Sequence, residues 1–167
     1  MNQLILVDKY DNIIGYKNKN ECHKENGILH RAFSIYIIDD NDKILIQKRS
    51  KNKLLWPLYW SNSCCSHPRK NEMYEEAARR RIEEELGFTT YLNFLLKFEY
   101  QANYLNIGSE NEICAIFIGQ YKGKIKPNLE EIAEYKWIDI EELKMDIFKN
   151  PNKYTPWFKI GLNKLKF

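Results

Sequence analysis

Three histidines, two closely spaced glutamates and a cysteine pair carry the chemistry this chain could perform. His23 and His30 stand with six residues between them, His67 follows Cys64 and Cys65, and these are the only imidazoles among 167 residues. Glu110 and Glu112 are separated by one residue where a strand is expected to begin, so both carboxylates point to one side. Imidazole with carboxylate is a ligand set suited to Zn, Mn or Fe. Surface histidines and an ordinary acidic strand end would give the same letters, because the sequence alone does not bring these segments together. A second acidic group, Glu83, Glu84 and Glu85, follows Arg79, Arg80 and Arg81. Such a run can be a solvated helix face tied by i,i+4 ion pairs, and Arg81 and Glu85 have that spacing.

The elements that must position these residues are short. Residues 4–7 and 13–16 flank Asp11-Asn12 and read as a hairpin, followed by a polar, loop-like stretch over 17–27. Residues 30–38 and 43–48 form a second hairpin around an Asp-rich turn. From residue 50 to 68 the chain is basic and aromatic, then ends in a Ser/Asn/Cys-rich run, poor as core and as helix, so a functional loop is expected. Asn71 is placed to cap a helix over 72–86, with Tyr74, Ala78, Ile82 and Leu86 as its buried stripe and Gly87 as its end. Strands are expected over 91–104, 112–121 and 135–140. Two closing helices follow, one over 141–149 and one capped by Thr155 with Pro156 in its first position. This pattern predicts an α+β fold, an α/β/α-like sandwich, in one domain spanning 1–167. No Gly-rich strand-turn-helix for a Rossmann site is present.

Composition narrows the partners. Twenty-six Lys and Arg against 23 Asp and Glu leave +3, which indicates neither a nucleic-acid nor a membrane binder but allows a local basic patch for a small anion. The apolar run at residues 4–7 is too short for a signal peptide, and no stretch approaches the roughly 18 apolar residues of a membrane span. Four cysteines in such a chain are expected as reduced thiols of a cytoplasmic protein.

Two resemblances sharpen this. Ser66-x5-Glu72-x7-Arg80-Arg81-Ile82-Glu83-Glu84-Glu85-Leu86-Gly87-Phe88 resembles the Nudix box, with Ser66 at the leading glycine and Arg81 at the first glutamate of the catalytic group. An arginine there subtracts charge from a carboxylate cluster that would hold metal around a diphosphate. Either the box is inactive or its chemistry differs from hydrolysis. The string Trp56-Pro57-x-x-Trp60-x-Asn62-x-x-Cys65-x-His67-Pro68, with Glu110-x-Glu112, resembles the type I isopentenyl-diphosphate delta-isomerases, a branch of the Nudix fold, from about Leu4 through Trp157. That resemblance implies a mixed β-sheet with a central Nudix helix and C-terminal helices. It implies interconversion of isopentenyl and dimethylallyl diphosphate through a tertiary, cation-like state. It further implies one divalent metal (Mn, Zn or Mg) on His23, His30, His67, Glu110 and Glu112, and Mg bridging the substrate diphosphate to Glu85 with help from the Cys65 carbonyl. Cys65 and Glu112 become the proton-transfer pair, Cys64 a packing residue, Tyr100 the partner of Glu112 and Trp157 the aromatic over the reacting carbons. Trp56 and Trp60 are candidate pocket walls, and Lys19, Arg49, Lys53 and Arg81 the diphosphate-binding set. A nucleotide diphosphohydrolase and a structural zinc domain are the competing classes.

Overall fold

A computed structural model describes residues 3–165. Its elements are β1 (Gln3–Val7), β2 (Ile13–Asn18), α1 (Lys19–Cys22), β3 (His30–Ile38), β4 (Lys43–Arg49), β5 (Trp60–Ser61) and β6 (Cys64–Ser66). After these come α2 (Tyr74–Leu86), β7 (Leu92–Tyr104), β8 (Gly108–Gln120), β9 (Ile132–Asp139), α3 (Ile140–Lys149), a 3-10 turn (Pro151–Lys153) and α4 (Pro156–Leu165).

β3 organises the sheet. Its apolar run is flanked on both edges, as a buried central strand requires. One edge meets β1 at Leu6↔His30, β6 at Ser34↔Cys65 and β4 at Ile37↔Leu45, all antiparallel. The other edge lies parallel to β8 from His30↔Glu112 to Ile38↔Gln120. β7 adds to β8 antiparallel, β9 to β4, and β2 to β1, giving the expected mixed sheet.

Side chains alternate across a strand, so each strand feeds two cores. Phe33, Ile35 and Ile37 of β3 join Leu45, Cys64, Ala115 and Phe117 beneath Ala77, Ala78, Ile82 and Leu86 of α2. Tyr36, Ile44, Ile46, Cys114 and Ile116 face the other way and pack on Leu143 of α3 and on Trp157, Phe158 and Leu162 of α4. The result is the three-layer α/β/α arrangement expected from the order of elements.

Several local expectations change. α2 starts at Tyr74 with Met73 at its cap, and Glu76 accepts from the Met73 N–H at 2.9 Å. Asn71 instead adopts a left-handed φ of 67°, and Glu72, outside the helix, accepts from the Arg69 N–H at 2.8 Å. Gly87 does end α2, at φ 74°. The 17–27 stretch contains α1, capped by the Asn18 side chain, and the 50–68 stretch carries β5 and β6. β8 begins at Gly108, so Glu110 and Glu112 lie inside a strand rather than at its first residue. β9 likewise begins earlier, at Ile132. The Thr155 hydroxyl lies 3.0 Å from that of Ser61, which ties the start of α4 to β5.

Candidate active site

Sheet alternation decides which groups meet. Cys65 and Cys64 are neighbours, so they face opposite sides: Cys64 is sealed under α2, while Cys65 opens on the α4 side. His67 lies two residues beyond Cys65, and Glu110 and Glu112 lie two apart on β8. The register sets Tyr100, Glu112 and His30 in one row across β7, β8 and β3. His23 caps the end of α1 and reaches the row because β8 docks on its backbone: the Ser109 N–H donates to the His23 carbonyl at 2.9 Å. Gly108 permits that approach, since a Cβ there would overlap the same carbonyl.

The three histidines and two glutamates thus form one cluster, with all five ligand atoms within 4.8 Å of one another. His23 and His30 each place Nδ1 2.7 Å from a backbone carbonyl, of Lys19 and Ile28 respectively. A carbonyl only accepts, so Nδ1 carries the hydrogen and Nε2 presents its lone pair inward, the usual orientation of a metal-binding imidazole. His23 Nε2 sits 2.7 Å from Glu110 Oε2, and His30 Nε2 sits 3.5 Å from Glu112 Oε1. His23 Nε2, His30 Nε2 and Glu110 Oε2 are buried without a hydrogen-bond partner. Buried acceptors turned towards each other need a positive charge between them. The donor set therefore fits a divalent metal. His67, whose Nε2 is 2.8 Å from Glu112 Oε1, is held well below the ordinary imidazole pKa, first by burial and then by His30.

His23, His67, Glu110 and Glu112 of the cluster line a cavity of about 350 Å³. Tyr100 donates to Glu112 Oε2 at 2.5 Å. Burial raises the Glu112 pKa, but His30 and the hydrogen bonds around it win, so it lies below the usual carboxylate value. Cys65 lines the cavity too, and burial pushes its thiol up despite the opposing pull of Arg49. Trp157 forms a wall, its indole N–H donating to Ser61 Oγ at 3.0 Å. Trp56 packs edge-on against Trp157 with centroids 5.3 Å apart, whereas Trp60 sits beneath Lys136 and Lys48.

The expected basic residues line the same cavity. Lys19 has an exposed surface, yet its pKa is lowered, first by desolvation and then by crowding with Lys53. Arg49 has two donors committed to backbone, Nε to the Trp56 carbonyl at 3.0 Å and Nη2 to that of Leu55 at 2.9 Å. Its third face looks onto Cys65 Sγ at 3.9 Å and the Trp157 ring at 5.1 Å. Arg49 therefore holds the 50–59 strap as well as facing the cavity. Glu85 is buried at 2% exposure, paired with Arg81 and held on its other oxygen by Gln47 at 3.2 Å. Arg81 also contacts Glu84 at 2.6 Å and Glu131 at 3.0 Å.

Three contributors escaped the sequence reading. Glu131 pairs with both Lys53 and Arg81, Ser61 links Trp157 to Thr155, and Gln47 holds Glu85. The cue for Ser61 was its place inside the Trp-Pro motif; Glu131 and Gln47 carried none.

An α/β/α sandwich carrying the Glu72 to Gly87 pattern on α2 and its two ends defines a Nudix domain, and the NUDIX domain family profile matches residues 28–158. The chain resembles the DR0079 protein of Deinococcus radiodurans in structure, with a TM-score of 0.73 at 20% identity, covering 89% of this chain and 90% of that one. It is 42% identical to isopentenyl-diphosphate Delta-isomerase 1 of Photorhabdus laumondii, over 95% of this chain and 92% of that one. It is also 40% identical to isopentenyl-diphosphate Delta-isomerase 1 of Aromatoleum aromaticum, over 98% and 92%. Within the Nudix fold, the chain belongs to the isopentenyl-diphosphate Delta-isomerase family.

Proposed function

We propose that this chain, acting as one domain, interconverts isopentenyl and dimethylallyl diphosphate. The observation that carries the reading is that Cys65 and Glu112 come from strands on opposite edges of β3 and line one cavity. An alkene is a weak base, so moving its double bond needs a well-placed acid, a base across the carbon skeleton and exclusion of water. The pKa directions pair a protonated thiol with an ionised carboxylate. One group delivers a proton to the terminal carbon and the other takes one from C2. The two have then traded one proton, which returns before the next cycle. Tyr100, whose hydroxyl is held far above its usual pKa by burial, stays a donor to Glu112 throughout. Trp157 lines the cavity, and an indole face turned to a tertiary cation there would contribute roughly 2 kcal/mol when desolvated.

His23, His30, His67, Glu110 and Glu112 would hold a divalent metal, Mn, Zn or Mg, which supplies fixed positive charge that orients the Glu112 carboxylate. Glu85, with the Cys65 carbonyl, would hold the Mg that neutralises the diphosphate. Lys19, Arg49, Lys53 and Arg81 supply the remaining countercharge, arginine forks matching phosphate oxygens. A small diphosphate is then the partner, with no role for nucleic acid. No helix among the described residues is long and apolar enough to cross a membrane. All four cysteines are free thiols, in keeping with the proposed cytoplasmic setting.

The test is turnover of isopentenyl diphosphate with Mg, followed as acid-labile allylic product. Cys65→Ala and Glu112→Gln should each abolish product while circular dichroism stays unchanged. Retained turnover in either variant removes that residue from the pair. Absence of product together with phosphate release from nucleoside diphosphates would replace this reading with the hydrolase.

A further inference from the structure

Glu131 lines the same cavity as Lys19, Arg49, Lys53 and Arg81, and unlike Glu110 and Glu112 it stands outside the histidine cluster. Its backbone is fixed: its N–H donates to the Asn128 carbonyl at 3.0 Å, and its own carbonyl accepts from the Ser50 N–H at 2.9 Å. One side-chain oxygen pairs with Lys53 and the other lies 3.0 Å from Arg81 Nη2. The same Nη2 atom pairs with Glu85 Oε1, so a single guanidinium nitrogen sits between two carboxylates. Two acids and two bases, Glu85 and Glu131 against Arg81 and Lys53, cancel in charge.

This arrangement has a consequence for cation binding. A divalent cation on Glu85 repels Arg81 and competes for the oxygen Arg81 holds. A largely buried guanidinium that gives up Glu85 must rely on its remaining carboxylates, Glu84 at 2.6 Å and Glu131 at 3.0 Å. Glu131 is already within hydrogen-bond distance of the nitrogen that must move, while Gln47 keeps Glu85 in place from its other oxygen. We propose that Glu131 is a positioning residue that receives Arg81 when a divalent cation takes Glu85. The proposal rests on the reading of Glu85 as the residue that holds Mg.

Simple charge counting gives the opposite expectation, which makes the idea testable. Removing an acid from an anion site should tighten anion binding. If Glu131 receives Arg81, Glu131→Gln instead leaves Arg81 pinned on Glu85 and raises the Mg needed for anion binding. The measurement is calorimetric titration of zinc-loaded protein with inorganic pyrophosphate across a series of Mg concentrations. In Glu131→Gln the Mg concentration for half-maximal affinity should rise roughly tenfold, within the range usual for coupled sites. Pyrophosphate affinity without Mg should be unchanged or tighter. Glu131→Asp, which keeps the charge one methylene back, should recover part of the shift.

An unaltered or lower Mg requirement in Glu131→Gln overturns the proposal, as does weaker pyrophosphate binding without Mg, which would mark general damage. Failure of the wild-type protein to bind pyrophosphate with Mg overturns it as well. Isomerisation by the wild-type protein is scored separately. Turnover with no Mg shift removes the role of Glu131 alone, whereas an Mg shift without turnover removes the isomerase reading and leaves Glu131 in its role.

Discussion

Ser61→Ala should slow catalysis far more than it weakens substrate binding. The Ser61 side chain is fully buried, and its oxygen is the contact point for the Trp157 indole N–H at 3.0 Å, the Thr155 hydroxyl at 3.0 Å and Asn62 Oδ1 at 3.0 Å. Alanine removes one atom, leaving a gap too small for water, so the indole N–H of a side chain 4% exposed loses its acceptor. An unpaired buried donor costs about 1–3 kcal/mol. For a chain this long, about 2 kcal/mol lowers Tm by roughly 4–8 °C. Trp157 then has no polar anchor in the ring plane. If half of a roughly 2 kcal/mol cation–π contribution is lost with its orientation, kcat falls about fivefold, and about thirtyfold if all of it is lost. The cations proposed to grip the diphosphate lie on Lys19, Arg49, Lys53 and Arg81, none hydrogen-bonded to Ser61, so KM should change little. Ser61→Thr retains the oxygen and should keep kcat near wild type. The assay is steady-state isomerisation beside thermal unfolding of the three proteins. A Ser61→Ala protein that loses stability but keeps kcat, or one that raises KM alone, would refute the claim that this hydroxyl positions Trp157 for the reaction.

Two further outcomes follow from the charged groups. Stripping metal with a chelator should abolish turnover and lower Tm, because the buried, unpartnered His23, His30 and Glu110 atoms lose the cation that offsets them; a site filled at 100 times its Kd contributes about 2.7 kcal/mol. Metal analysis with thermal scans before and after adding back Zn or Mn checks this, and an unchanged Tm would contradict it. Glu131 is driven from 4.5 to about 2, Lys53 and Arg81 outweighing the burial that opposes them. A depressed carboxylate pKa gives stability present above about 4.5 and lost as pH falls towards about 2. With the side chain 24% exposed, about 1–2 kcal/mol is expected. Urea midpoints from pH 6 down to pH 2 should fall less steeply for Glu131→Gln than for wild type, and parallel curves would sink the idea.

Local rules carried the sequence reading where function depends on spacing along one strand. Glu110 and Glu112 share a side because they are two apart, period-two arithmetic that needs only the strand and not its neighbours. Cys65 was told from Cys64 only by the resemblance, in a stretch expected as loop, and the short strand β6 supplies the alternation that parts them. The α2 boundary moved because Asn71 has the chemistry of a cap but lies in a left-handed turn, while Glu72 is held outside the helix by the Arg69 N–H and by Arg80. Glu131 and Gln47 were illegible for a different reason. A glutamate before a strand reads as solvated, and it gains meaning only from Lys53 and Arg81, which are remote in sequence. The motif strings supplied the cluster as a resemblance, and the β3–β8 register supplies its physical cause.

That register also explains how a Nudix helix can serve chemistry other than hydrolysis. Hydrolysis would need dense negative charge on α2 to hold metal against the diphosphate, yet Arg81 spends one positive charge on Glu85 and Glu84. The surplus carboxylates have a counterpart across the sheet, where Glu110 and Glu112 stand on β8 with three imidazoles. α2 packs on one face of β3 and α4, with Trp157, on the other, and Arg81 of α2 still reaches the cavity that Cys65, Glu112 and Trp157 line. Diphosphate charge can then be held from the α2 side while carbon chemistry proceeds on the α4 side. A helix proposed to hold the diphosphate without cleaving it and a Cys65–Glu112 pair proposed to exchange protons fit that division, and Arg81 is the side chain that joins Glu85 to Glu131.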